Sequence, residues 1–445
     1  MGCVYFMEKK KILETVEQDK IDFIDLIFCD LYGNLKSVTI SPRELDNCLT
    51  DGKWFDGSSI EGFTRIHESD MLLVPDLSTY LRLPWLRDDK KVARIICDVH
   101  EPSKNPFAGD PRYILKRVLG RARKKGYIYK VGPEIEFFLF GLKEERTYHD
   151  TAGYFDFSPQ DYATDIRAIM VSTLEKLGIR VEMTHHESAP SQHEIDIQYL
   201  EALKSADNVM MLKQAIKTVA SDKGLRATFM PKPIYGVNGS GMHTHQSIFS
   251  KDGRNLFFQE EDKYNLSQLA YHFLGGQLKL IREIAAVLCP TVNSYKRLVR
   301  GYEAPVYVCW GQRNRSALIR VPRHSVGRER STRLELRCPD PSCNPYMAFA
   351  LMLAAGLNGI EEKTEPPSAV EEDVYGFDDG KLAKFYIKTL PSDLGEAIEE
   401  FKNSKLAKET LGSHTFDKYI EVKTAEWTDF KRNVTDWEFK RYRNL

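Results

Sequence analysis

Polar and apolar positions alternate most regularly in Gly132-Pro133-Glu134-Ile135-Glu136-Phe137-Phe138, within a run from Tyr127 to Phe140 rich in aromatic and β-branched residues. That pattern predicts a strand. Side chains alternate along a strand, so Glu134 and Glu136 share one face, and Ile135, Phe137 and Leu139 share the other. Two carboxylates on one face repel each other and are costly to bury unless something positive lies between them. Taken alone, such a pair is more often solvent-exposed. Phe138 and Phe140 on the same face argue against exposure here. Three later stretches repeat the alternation: Glu194-Ile195-Asp196-Ile197; Met242 to Ser247, with His243, His245 and Ser247 on one face; and Arg333-Leu334-Glu335-Leu336-Arg337. Together they predict a curved sheet whose concave face carries carboxylates, imidazoles and guanidinium groups, the composition of a metal and phosphate site.

Helical periodicity is equally plain elsewhere. Asp110 and Pro111 form an N-cap and N1 pair, Ile114, Leu115, Val118, Leu119 and Ala122 fall on one stripe, and Gly126 ends the helix. Lys9 to Gln18, Asp161 to Leu177, Ser205 to Lys223 and Leu266 to Cys289 predict further helices. Tyr346 to Ile360 predicts a buried helix, with Asn344 as N-cap and Pro345 at N1, too short and too glycine-interrupted to span a bilayer. Phe23 to Phe28, Leu35 to Ile40, Asp70 to Pro75 and Val92 to Asp98 predict strands. Pro102 to Gly109, rich in turn formers, marks the end of a small α+β domain, residues 1–108, ahead of a larger one, residues 109–445. Pro366 to Pro391 is charged and predicts an exposed loop. Trp427, Phe430, Val434 and Trp437 recur at helical spacing, a stripe that must pack on its own core or on a neighbouring subunit.

Composition narrows the class. With 445 residues, 42% hydrophobic and 29% charged, the chain is an ordinary globular protein, and its net charge of −1 argues against general nucleic-acid affinity. The eight cysteines form no C-x-x-C pair, which predicts reduced, buried thiols and an intracellular protein. Met1 to Phe6 lacks the apolar core of a signal peptide, so a cytoplasmic location is expected.

The loops carry further chemistry. Phe55 to Phe63 is a Gly/Ser loop with Asp56 near its start. His185-His186-Glu187-Ser188-Ala189-Pro190-Ser191-Gln192-His193-Glu194 brackets a loop with two carboxylates that can reach one ion. Three histidines there bring zinc into consideration, but oxygen donors dominate and no cysteine is near in sequence, which favours Mg²⁺ or Mn²⁺. Phe229 to His243 is a proline-stiffened entry to a glycine turn that lets backbone amides approach a substrate. Arg297, Arg315, Arg320, Arg333 and Arg337 lie in short apolar contexts, which suits bidentate capture of carboxylate or phosphate.

At these motifs the chain resembles glutamine synthetase, the prokaryotic type I family. The resemblance covers nearly the whole chain through FDGSSIEGF (55–63), GPEIEFF (132–138), HHESAPSQHEID (185–196), FMPKPIYGVNGSGMH (229–243), Asn293 to Pro305 and DPSCNPY (340–346). It implies an α+β fold: an N-terminal β-grasp domain and a catalytic domain with a funnel-shaped antiparallel sheet flanked by helices. It implies a homo-oligomer, a dodecamer of two stacked hexameric rings with active sites between subunits. The implied reaction joins ammonia to glutamate using ATP, through γ-glutamyl phosphate, in nitrogen assimilation.

Matched residue by residue, the resemblance places one Mg²⁺ or Mn²⁺ on Glu136, Glu187 and Glu194 and a second on Glu134, His243 and Glu335. Arg315 and Arg337 fall over the transferred phosphate. Asn238, Gly239, Arg297 and Arg320 match glutamate-binding positions, and Glu182, Tyr199, His245, Ser247 and Arg333 match nucleotide-binding ones. Asp56, from a neighbouring subunit, and Glu303, on a flap, match the groups that bind and deprotonate ammonium. Arg65 matches an arginine used for glutamine feedback in the non-adenylylated subgroup, and small regulatory proteins are candidate partners. Arg300 stands where many relatives have proline, and residues 323–330 (RHSVGRER) are more basic than is usual. Tyr375 matches a tyrosine adenylylated in some members, although its surroundings differ. The alternatives are a γ-glutamyl ligase for a larger amine, a silent regulatory assembly and a kinase that stops at phosphoryl transfer. Intact Asp56 and Glu303 favour ammonium, and no metal carboxylate is missing.

Overall fold

The computed structural model describes residues 2–58, 60, 62, 70–142 and 147–445. The chain divides into two compact units: Met1–Pro133, Leu139–Thr228 and Asn344–Ala350 form the first, and Glu134–Phe138, Phe229–Cys343 and Leu351–Leu445 the second. Both mix strands and helices, the expected α+β class.

In the first unit a six-stranded sheet runs in the order Leu35–Ile40, Phe23–Cys29, Lys90–His100, Asp70–Pro75, Lys53–Asp56, and Leu81–Arg87 also pairs with Lys90–His100. Phe23–Cys29 and Lys90–His100 run parallel, while their other neighbours are antiparallel. Ile24, Leu26 and Phe28, with Ala93, Ile95, Cys97 and Val99, alternate into a core closed by Ile12, Val16, Leu45, Cys48 and Leu49 of two helices. This is the β-grasp layout implied above. The first helix, Gly2–Gln18, begins before Lys9 because no proline interrupts the preceding residues.

Helix Pro111–Lys124 starts where its cap predicts, with Asp110 accepting from the Arg112 amide at 2.9 Å and the Val99 amide at 3.0 Å. Burial pushes the Asp110 carboxyl up to about 7. The strand Tyr127–Gly141 and the hairpin Val181–His186/Gln192–Ile197 follow, the hairpin pairing His185 with Glu194 and His186 with His193. Asn344 caps the helix Pro345–Glu362, its side chain accepting from the Tyr346 amide at 3.1 Å.

In the second unit, Lys388–Thr389, Tyr307–Gly311, Ala317–Arg320, Leu334–Leu336, Met242–Ser250 and the Glu134–Phe138 segment lie side by side in that order. Apolar helix Gln268–Leu288 packs against Leu394–Lys402. Two expectations change here. Residues 366–391 are not all loop: Asp378 caps a short helix, Asp379–Lys384, which buries Leu382. The tail stripe is not one helix. Ser413–Arg432 ends, and a capping box at Thr435 starts Asp436–Tyr442, leaving Val434 73% and Trp437 65% exposed while Trp427 stacks on Phe430. Cys29, Cys48, Cys97, Cys289, Cys309, Cys338 and Cys343 are buried thiols outside any disulfide. Among the described residues no helix is long and apolar enough to cross a membrane.

Candidate active site

Register gathers most of the predicted residues within the second unit. Met242–Ser250 and Leu334–Leu336 pair so that His245 lies opposite Glu335, and Arg320 lies opposite Glu335 from the other side. Alternation then puts His243, His245, Arg333, Glu335 and Arg337 on one face. Glu136 joins them from its own strand: its amide donates to the Gly241 carbonyl at 3.2 Å and its Oε2 accepts from the Gly241 amide at 2.9 Å. A Cβ at Gly241 would come 2.5 Å from Arg297 Nη2, so a larger residue here would displace that guanidinium.

One ligand atom from each of Glu134, His243 and Glu335 lies within 4.8 Å of the others. His243 Nδ1 is 3.3 Å from Glu134 and 4.0 Å from Glu335, and its Nε2 is 3.9 Å from Glu136. His245 Nε2 lies 2.5 Å from Glu134, and its Nδ1 accepts from Arg333 Nε at 3.0 Å, so a single tautomer with the proton on Nε2 satisfies both contacts. Glu335 accepts from Arg320 at 2.9 Å and from Arg337 Nε at 3.2 Å. Burial works to raise the Glu134 and Glu335 carboxyls, but the imidazoles, with Arg337 beside Glu335, hold both below the usual range. Burial, aided by Arg337, lowers His243, leaving a neutral imidazole with a lone pair. Arg337 is 7% exposed, and among the described residues its Nη1 has no hydrogen-bond partner.

The first unit holds a separate set. His185, Glu187 and Glu194 offer ligand atoms within 4.8 Å of one another, with His185 Nε2 3.3 Å from Glu194 and Nδ1 3.6 Å from Glu187. On the hairpin's other face, His186 Nε2 lies 2.8 Å from Asp150 and its Nδ1 2.7 Å from the Glu187 carbonyl. Both ring nitrogens face acceptors. Burial opposes protonation, but Asp150 and the carbonyl raise the imidazole above its ordinary value. Asp161 pairs with Arg167 at 2.9 and 2.6 Å, and Arg167 is 3.1 Å from His193 Nδ1. Arg167 balances Asp161 and His186 faces Asp150, so the group reads as a brace behind the hairpin bearing Glu187 and Glu194.

The other predicted residues stand as follows. Asp56 is exposed, and its carboxyl is lowered by the Ser58 hydroxyl and amide. Glu182 and Tyr199 are exposed on the first unit, Tyr199 with Lys130 5.4 Å from its ring centre. Ser247 is buried two positions past His245. Asn238 donates to the exposed Glu303 at 3.3 Å. Gly239 packs on the Arg297 stem, and Arg297 donates to the carbonyls of Cys338 at 2.7 Å and Arg337 at 3.0 Å. Arg315 is exposed. Arg65 lies outside the described residues. Lys232 and the Asp150 brace are not singled out by the sequence, and His185 enters there only as one of three histidines that could bind zinc. The strict alternation of His185/His186 against His193/Glu194 could have separated the two faces.

The glutamine synthetase catalytic-domain family matches residues 108–442, and the glutamine synthetase β-grasp-domain family matches residues 20–102. The chain belongs to the glutamine synthetase family. It is 49% identical over 441 residues to glutamine synthetase of Methanosarcina mazei, covering 98% of each chain. It is also 49% identical over 440 residues to that of Thermotoga maritima, covering 98% of this chain and 99% of that one. A solved GmaS/ADP complex matches with a TM-score of 0.89 at 33% identity, covering 97% of this chain and 99% of that chain.

The reaction is therefore ATP-dependent synthesis of glutamine from glutamate and ammonia, and the family uses a divalent metal. The residues fit that requirement. The Glu134, His243 and Glu335 set supplies two ionised carboxylates and a neutral imidazole, and neither this set nor His185, Glu187 and Glu194 contains a thiol.

Proposed function

We propose that glutamine is made here through γ-glutamyl phosphate, with Glu134, His243 and Glu335 holding one Mg²⁺ or Mn²⁺ and Glu136, Glu187 and Glu194 a second. When bound, the ions supply charge neutralisation between the polyphosphate and the attacking carboxylate. The observation that carries the reading is Arg337, a buried guanidinium whose Nη1 has no partner among the described residues, beside the carboxylate of Glu335. A cation so placed, in a water-poor site, stabilises negative charge on a phosphoryl group in flight. Arg315 assists from its exposed loop. Arg320, Arg297, Asn238 and Gly239 hold glutamate. Arg333, His245, Ser247, Tyr199 and Glu182 hold the nucleotide. Asp56, reaching in from a second copy, attracts ammonium, and Glu303 receives its proton, leaving ammonia to attack the acyl phosphate.

The proposal extends to a cytoplasmic homododecamer of two hexameric rings, and to division into a β-grasp domain, residues 1–108, and a catalytic domain, residues 109–445. The matches to the two family models, residues 20–102 and 108–442, are compatible with this reading. Glutamine feedback acts through Arg65. An Arg65→Ala variant should keep its turnover and lose inhibition by millimolar glutamine; inhibition equal to wild type would rule the residue out.

The deciding assay measures phosphate release with glutamate, ATP and Mg²⁺, with ammonium and then with a panel of primary amines. Turnover with ammonium, with glutamine as product, is expected. Turnover confined to larger amines would keep the metal site and overturn the roles of Asp56 and Glu303.

A further inference from the structure

The loop bearing Glu303 sits in a conformation it would not adopt alone. Gly301 has φ +91° and Glu303, which has a Cβ, has φ +56°. Left-handed backbone at such a residue persists only when the surroundings hold it. Among the described residues four contacts do so. Arg300 lies 5.2 Å from the centre of the Tyr307 ring, and Lys232 lies 3.8 Å from that of Tyr302. Asn238 donates to the Glu303 carboxylate at 3.3 Å. The Tyr375 hydroxyl donates to the Ala304 carbonyl at 2.7 Å.

The first contact comes from the exposed Arg300, the second sets the buried Lys232 over a half-buried ring, and the third is a long hydrogen bond. The fourth is short, and Ala304 is buried. Its donor also stands on a fixed base. Asp373 caps the Tyr375 amide at 3.0 Å, Ser316 accepts from the Val374 amide at 3.0 Å, and Asn314 donates to the carbonyls of Val370 and Glu372 at 3.0 and 2.7 Å. The Tyr375 ring lies 6.2 Å from that of Tyr307.

We propose that Tyr375 is a positioning residue for the Glu303 loop, its hydroxyl latching the Ala304 carbonyl so that the loop stays closed over the acyl phosphate. Burial pushes this phenol up to about 12, so it remains a donor throughout the working pH range. The inference rests on the role proposed for Glu303. With the latch weakened, water reaches γ-glutamyl phosphate and cleaves it to glutamate and phosphate, so ATP and water are consumed without glutamine being made.

The test uses full-length Tyr375→Phe, which keeps the ring and removes the donor. Phosphate and glutamine are counted in the same reaction. Wild type should give about one phosphate per glutamine, because a closed site excludes water. Losing one net hydrogen bond shifts a two-state loop by roughly three- to tenfold, so the variant should release clearly more phosphate than glutamine while Tm barely moves. A second readout needs no turnover: tryptic cleavage after Arg300 should accelerate by roughly the same three- to tenfold, since cleavage tracks the open population. A coupled variant cleaved at the wild-type rate would overturn the latch, as would a variant whose only change is a lower Tm. A wild-type enzyme that makes no glutamine would remove the Glu303 reading and the latch with it. Wild-type coupling with an unchanged variant would remove the latch alone.

Discussion

Replacing Glu335 by alanine is expected to lower kcat/KM for glutamine formation by about 10³-fold or more, the scale seen when a group that stabilises transition-state charge is removed. Glu335 is 2% exposed and lies between Arg320 at 2.9 Å and Arg337 at 3.2 Å, with His243 4.0 Å away. The substitution removes one carboxylate from the Glu134, His243 and Glu335 set. It also frees Arg337 from the partner that orients its guanidinium. Substrate positioning by Asn238 and Gly239 should survive, so the loss should fall on kcat more than on KM for glutamate. Circular dichroism should match wild type. Mn²⁺ should raise the wild-type Tm through binding to the folded state alone, and the gain should be markedly smaller in Glu335→Ala. Turnover within tenfold of wild type would exclude Glu335 as a ligand.

Arg112→Met should destabilise the first unit by about 3–5 kcal/mol, the cost of leaving the buried Asp207 carboxylate without its cation. Arg112 is 2% exposed. It reaches Asp207 through Nε and Nη2, both at 3.0 Å, Asp98 at 2.7 Å and Asp76 at 2.8 Å. Those carboxylates come from different elements, the strand Lys90–His100, the helix Ala202–Asp222 and the turn at Asp76, so one guanidinium fastens three pieces to the helix it rides on. Asp98 keeps Lys116 at 2.5 Å, and Asp207 keeps the Tyr346 hydroxyl at 2.8 Å, a neutral donor that cannot replace the charge. Thermal unfolding should move down by roughly 10 °C, given about 2–4 °C per kcal/mol for a unit of this size. Removing the orphaned acid as well, in Arg112→Met/Asp207→Leu, should recover part of the loss. A single variant melting within about 2 °C of wild type would show that the carboxylates find other partners.

Local chain geometry made part of this protein legible in one dimension. The strand period set Glu134 and Glu136 on one face, and Asp110-Pro111 and Asn344-Pro345 announced two helix starts that the structure keeps. The ordered motifs, each long and intact, were enough to recognise the family. What stayed hidden depends on partners distant along the chain. His243 can meet both Glu134 and Glu335 only because strands more than ninety residues apart settle in one register, and a slip of one residue would turn every member of the set to the opposite face. No local period encodes which acids Arg112 will reach, or that Tyr375 will latch Ala304. The tail shows the same limit: Trp427, Phe430, Val434 and Trp437 keep a helical period across a break that the Thr435 cap imposes. The sequence by itself determined the elements, the family and the kinds of charge in the site. Register and packing alone decided which charges face one another, because that choice is made by contacts whose sequence separation carries no periodic signal.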